Sequence, residues 1–226
     1  MRIRVAAIVE GHGEVSAVPV LLRRLWSDVL SAEWIDVLQP IRQPRTKLLR
    51  RTTSRATTEP AATEMERAIK LARNKLAARR TEVLSELILV LLDADTDCPK
   101  ELTPRLLETA RGAAGGIDVV VVLAKVEYET WFVASSGSLA TYLRLGSGES
   151  RIENPEEERF GKKWIADRFR GPKYSETIDQ VKLTAAMDLR VCRERSPSFD
   201  KLCRELELRG GHTINDQRVR RERPMP

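Results

Sequence analysis

From Leu87 to Leu92 the chain reads Leu-Ile-Leu-Val-Leu-Leu, and it turns at once to Asp93, Asp95 and Asp97. A strand sends successive side chains to opposite faces, so a run apolar on both alternate sets has to be covered from both sides. Ile3 to Val9 (IRVAAIV) and Ile117 to Leu123 (IDVVVVL) have much the same character, and Trp34 to Ile41 alternates like a further strand. Helical spacing lies between these runs. Val18, Leu21, Leu22, Leu25 and Trp26 predict a helix that begins near Ser16, because Pro19 is tolerated only in a first turn. Met65, Ile69, Leu71 and Leu76 give a second helix over Ala61 to Arg80, and Leu102 to Arg111 a third. Apolar strands alternating with helices predict an α/β fold: a mainly parallel sheet flanked by helices.

At 226 residues the chain suits one compact unit. The expected organisation is an α/β domain over 1–135, with a basic loop-helix insertion at about 42–80, followed by a helical extension over 136–216 packed on it. Ile178 to Leu208 reads as two helices separated by Ser196-Pro197-Ser198, and the Arg-rich residues 217–226 as a disordered tail. No stretch reaches the roughly 18 apolar residues of a membrane span. The first ten residues reach an acid too soon for a secretory signal. Three cysteines (Cys98, Cys192, Cys203) without metal-ligand spacing describe neither a zinc site nor a disulfide framework, so a cytoplasmic location is expected.

The formal charge of +6 is unevenly placed. Between Ile41 and Arg80 twelve basic residues stand against three acids, which is +9, and the rest of the chain is therefore −3. Local density of Lys and Arg rewards binding of a polyanion through phosphate neutralisation, with Arg45, Lys47, Arg50, Arg51 and Arg55 as the candidate contacts. A solvated loop and helix face is an equal account of the same charges.

In an open parallel sheet functional groups gather beyond the carboxyl ends of the strands. Here those ends deliver acids: Glu10 and Glu14 after the first strand, Asp93, Asp95 and Asp97 after the central one, Glu127 and Glu129 after the last. If these strands are neighbours, the acids share one small volume. Asp93 and Asp95 lie two apart, which on extended backbone points them the same way. Asp97, before Cys98-Pro99, is placed to cap the next helix. Oxygen donors without a His or Cys cluster favour a hard cation, Mg²⁺ or Mn²⁺. Acids that merely cap helices and end strands are the competing account. Lys125 either stabilises phosphate charge from the same edge or pairs with Glu127 or Glu129. His12 ranks below the acids as a proton carrier. Trp131 and Phe132 read as core anchors, and Ser198 as a helix cap with Phe199 buried.

Val9 to Glu14 (VEGHGE) and Leu92 to Asp97 (LDADTD), in that order, resemble the Toprim fold of topoisomerases, primases, overcoming-lysogenization-defect nucleases and recombination repair proteins. With Lys125 to Ser135 (KVEYETWFVAS) and Lys173 to Phe199 (KYSETIDQ…SPSF), the chain is similar to a bacterial Toprim-related family, domain-of-unknown-function 4276. The resemblance implies a Toprim-like, Rossmann-like sheet with Glu10 as general acid or base and Asp93 and Asp95 as a metal pair; in a site of this kind Glu10 joins the two aspartates in binding one or two Mg²⁺ ions. It adds Glu14 as a second catalytic acid and Glu127 and Glu129 as further ligands for Mg²⁺ or Mn²⁺. The interval between Glu10 and Asp93 is long for a minimal Toprim unit, the excess being the basic segment. The activity implied is a Mg²⁺-dependent nuclease acting on DNA or RNA. The alternative is a non-catalytic nucleic-acid or nucleotide-binding subunit beside an ATPase in a defence system, and a third is a Toprim-like domain whose acids hold no metal. The chain has no phosphate-binding G-x-x-x-x-G-K-[ST] loop, so an ATP-driven step belongs to a partner. A homodimer is left open.

Overall fold

The computed structural model describes residues 2–32, 34–48, 63–78, 85–146, 152–157 and 161–221, with side chains as far as residue 210. Its sheet has five parallel strands: β1 (Arg2–Val9), β2 (Trp34–Val37), β3 (Ile41–Arg42), β4 (Ser85–Asp93) and β5 (Asp118–Ala124). The order is β2-β1-β4-β5, and β3 also pairs with β1, further along the same edge as β2. The run Trp34 to Ile41 is thus two strands, interrupted at Leu38-Gln39-Pro40, where proline has no N–H to donate.

The apolar strands divide their side chains as their alternation requires. Ala6, Ile8, Ile88, Val90, Leu92, Val119, Val121 and Leu123 face α3 (Glu64–Ala77) and α4 (Pro99–Ala114) in one buried cluster. Val5, Ala7, Leu87, Leu89, Leu91, Val120 and Val122 face the other way. They pack into a cluster shared with α1 (His12–Arg24), α5 (Glu129–Ala134), α7 (Glu176–Ala186), α8 (Leu189–Arg195) and α9 (Pro197–Arg221). One hydrophobic core therefore runs from the sheet into the C-terminal helices. Two shorter helices, α2 (Arg45–Leu48) and α6 (Gly161–Arg168), lie near the carboxyl edge of the sheet.

Several element boundaries differ from the sequence reading, each for a local reason. Helix α1 begins at His12, because the Glu14 carboxylate accepts the amide N–H groups of Glu10 and Gly11 and so caps the helix a turn early. Pro19 then lies inside the helix. Residues Arg45–Leu48 of the expected loop form α2, while 49–62 fall outside the described residues. Helix α3 starts one residue after Thr63, which accepts from the Glu66 amide while Glu66 reaches back to the Thr63 amide. Ile178 to Leu208 spans parts of three helices and not two, because Met187-Asp188 breaks α7 from α8 and Asp188 caps the latter. Helical backbone continues to Arg221, through part of the expected tail.

Aromatic packing fixes α5 to the C-terminal helices. Trp131 and Phe199 are fully buried with ring centroids 5.1 Å apart, edge to face, and Trp131 Nε1 donates to Ser198 Oγ at 2.9 Å. Ser198 is thus tied to the core, and the helix-capping hydroxyl is that of Ser196, which accepts the Phe199 amide. Among the described residues no helix is long and apolar enough to cross a membrane. Phe199→Ala is expected to cost about 3–5 kcal/mol of folding stability, whereas Ile178→Ala, at a side chain 58 % exposed, should stay within about 0.5 kcal/mol. Urea unfolding followed by circular dichroism measures both.

Candidate active site

Because β1, β4 and β5 are adjacent and parallel, their carboxyl ends lie side by side. Glu10 follows β1, Asp93 is the last residue of β4, and Glu127 and Glu129 follow β5, so the sheet brings together acids spread over more than a hundred positions. Asp93 occupies the middle. Its Oδ1 accepts the Tyr128 amide at 2.8 Å. Burial pushes its carboxyl well above the ordinary range, and the charges of Glu14, Glu129, Glu10 and Glu127 push it further.

The surrounding acids are held by identifiable donors. Glu14, buried at the start of α1, receives the Glu10 and Gly11 amides at 2.9 and 3.1 Å, yet burial still raises it to about 7. Glu129 receives the Tyr174 hydroxyl at 2.9 Å and the Gln180 amide nitrogen at 3.3 Å, and burial again raises it to about 7. Glu127 accepts the Lys162 backbone amide at 2.6 Å and is raised mainly by burial. Glu10 is raised by burial and then by Asp95, with the Arg45 and Asp93 backbone amides acting in the opposite direction. Its Oε2 is buried and has no hydrogen-bond partner.

Asp95 departs from the extended geometry expected of it. Strand β4 ends at Asp93, and Asp95 sits in a turn with φ 48°, a left-handed conformation that Asp tolerates better than most residues. Its amide donates to Val126 O at 2.8 Å, and its half-exposed carboxylate is taken by Arg45 Nη1 at 2.7 Å. The same guanidinium pairs through Nη2 with Asp97. Asp97 is therefore an ion-pair partner and not a cap, and Cys98 occupies the N-cap position of α4.

The basic residues read as phosphate contacts separate accordingly. Arg45 is only 8 % exposed and committed to the two aspartates, Lys47 is exposed, and Arg50, Arg51 and Arg55 lie outside the described residues. Lys125 is exposed, while its backbone amide donates to Ser198 Oγ. It pairs with neither Glu127 nor Glu129; the neighbouring cation is Lys162 on α6, which is paired with Glu176.

Tyr174, Gln180 and Lys162 are site residues that the sequence reading did not assign. For Tyr174 and Gln180 the one signal was the segment Lys173 to Gln180, which gives no hint that α7 crosses the start of α1, and for Lys162 there was none. Gly13 explains that crossing: a Cβ there would lie 2.3 Å from Gln180 Oε1 and 2.5 Å from the Glu176 carbonyl oxygen. The glycine is needed for close approach between helices.

Two cavities flank the acids. On the β1 side one of about 640 Å³ is bounded by Glu10, His12, Arg42, Lys173 and Glu176. On the β5 side one of about 870 Å³ is bounded by Asp95, Asp97, Lys125, Glu156 and Glu157. Among the described residues no three His, Cys or carboxylate side chains stand close enough to enclose a metal ion. A hydrated Mg²⁺ or Mn²⁺ asks for less, because such ions keep several waters and use one or two carboxylates. Glu10, with its unpartnered Oε2, and Asp93, with one oxygen committed, fit that requirement. Asp95 is occupied by Arg45, and Glu127 and Glu129 by their donors.

A family model described as a domain of unknown function, DUF4276, matches residues 9–207. The chain belongs to this family. The match begins one residue before Glu10 and extends past α8, so all seven acids at the strand ends and both cavities lie inside the DUF4276 domain. No curated protein and no solved structure is significantly similar to the chain.

Glu14 and Glu129 have folded values near 7 against 4.5 when unperturbed. A carboxyl raised on folding contributes stability that is complete below its unfolded value and is lost as pH rises through the folded one. In EDTA, the melting temperature of the wild type should therefore fall as pH rises from about 5 to about 8. Glu129→Gln keeps an acceptor for Tyr174 but no longer titrates, and should show a smaller fall in the same thermal scans.

Proposed function

We propose that the chain is a Mg²⁺- or Mn²⁺-dependent hydrolase of nucleic-acid phosphodiesters, with Glu10 and Asp93 as the cation-binding pair. The observation that carries this reading is the set of buried and half-buried carboxylates around Asp93 at three neighbouring strand ends, with Glu10 Oε2 left unpartnered. Like charges gathered in a poorly solvated volume are costly, and either protons or a cation relieve them. When bound, the divalent ion supplies Lewis-acid polarisation of a phosphoryl oxygen and activation of an attacking water.

The chain's own groups do the rest. Glu10 lines the β1-side cavity and serves as the proton acceptor, burial having raised its affinity for a proton. Glu14 fixes the turn that carries Glu10 by holding the Glu10 and Gly11 amides, so it positions the acid. The Tyr128 amide orients Asp93. Lys125 stands among Asp95, Asp97, Glu156 and Glu157 on the β5 side, so it is not assigned to the phosphate. Bacterial defence beside an ATPase partner is the setting that the Toprim resemblance suggests for this activity.

A second reading, a non-catalytic nucleic-acid or nucleotide-binding subunit of an ATPase complex, is favoured by one observation. Arg45 already neutralises Asp95 and Asp97, as a residue replacing a metal would. Cleavage of labelled DNA and RNA in Mg²⁺ or Mn²⁺ separates the two. Glu10→Gln is expected to lower the rate by about 10²–10⁴-fold and Asp93→Asn to abolish the cation-stimulated cleavage. Cleavage that survives both substitutions would sink the mechanism, and binding without cleavage would favour the second reading.

A further inference from the structure

The cations around the acids fall into two groups. Arg45 is spent on Asp95 and Asp97, and Lys162 on Glu176. Arg42 and Lys173 are exposed, line the β1-side cavity, and carry no ion pair among the described residues. Both are held by elements that also hold the site. Arg42 ends β3 in register with Val9, the residue before Glu10, and the Gln43 amide donates to Val9 O at 2.8 Å. Lys173 precedes Tyr174, whose hydroxyl holds Glu129. Since Lys162 neutralises Glu176, the two free cations face Glu10 alone.

The β5-side cavity has the opposite character. Asp95, Asp97, Glu156 and Glu157 stand against Lys125 and the shared Arg45 guanidinium, four negative charges against two positive. A polyanion approaching there meets net repulsion, whereas on the β1 side it meets two unpaired cations whose neutralisation releases counterions.

The geometry points to the β1-side cavity as the phosphate-binding subsite for a single nucleic-acid strand, with Arg42 and Lys173 as its contacts and the β5-side cavity as a face the strand avoids. This rests on the hydrolase reading for what the phosphate is delivered to, and on charge and register for where it binds. Fluorescence anisotropy in EDTA reads binding without turnover, so failure to cleave would count against the hydrolase alone. With a labelled single-stranded oligonucleotide, Arg42→Ala and Lys173→Ala are each expected to weaken binding several-fold. Each should also lower the slope of log affinity against log salt by roughly 0.7, the value for one phosphate contact on a single strand. Lys100→Ala, at an exposed lysine of α4 beside Pro99 of the β5-side cavity, should change neither. Affinity and salt slope that stay at the wild-type value in both cavity variants would overturn the assignment, as would an oligonucleotide that binds no more tightly than AMP.

Discussion

Carboxylates gathered at the carboxyl edge of β1, β4 and β5 impose the constraint on which the rest of this structure depends. Glu14, Asp93 and Glu129 all have burial as the leading cause of a raised carboxyl, and each feels at least one of the other acids. A cluster of that kind persists only where its oxygens find donors, and the protein provides them from several elements. Backbone amides of the first turn serve Glu14, the Tyr128 amide serves Asp93, and Tyr174 and Gln180 of the C-terminal part serve Glu129. Glu10 Oε2 is the position where the supply stops.

This division of donors gives the helices beyond α5 a role in the site. They complete the second face of the sheet, with Phe199, Leu202 and Leu206 in the same cluster as Val5 and Leu89. They also bring Tyr174 and Gln180 against Glu129, and Lys162 against Glu176. Close contact of α7 with α1 at Gly13 couples the two tasks, because the packing that covers the sheet also sets the distance from Gln180 to the acids. The family match, which extends to residue 207, covers this whole arrangement.

Particular residues show which parts were legible beforehand. β4 and β5 were readable because both alternate sets of side chains are apolar, which leaves few alternatives to a covered strand. The start of α1 was not, because the capping group is Glu14, a residue read for its catalytic meaning. On local grounds Asp97 reads as a cap and Asp95 as an extended ligand. The fold instead puts Asp95 in a turn and Cys98 at the cap, and Arg45, fifty positions away from Asp95 in sequence, pairs with both carboxylates. The density of charge around Arg45 was equally plain, but the burial of that one guanidinium was not.

By itself the sequence determined the α/β class, the parallel strands and the acids that follow them, since hydrophobic periodicity and residue type are local properties of the chain. Tertiary structure decided which acids share a volume, which of them keep an oxygen free, and which cations are already spent. Those outcomes depend on strand order, on one close helix crossing and on long-range ion pairs. A carboxylate's behaviour is set by the donors, charges and solvent around it, and neighbours in sequence supply only a few of these.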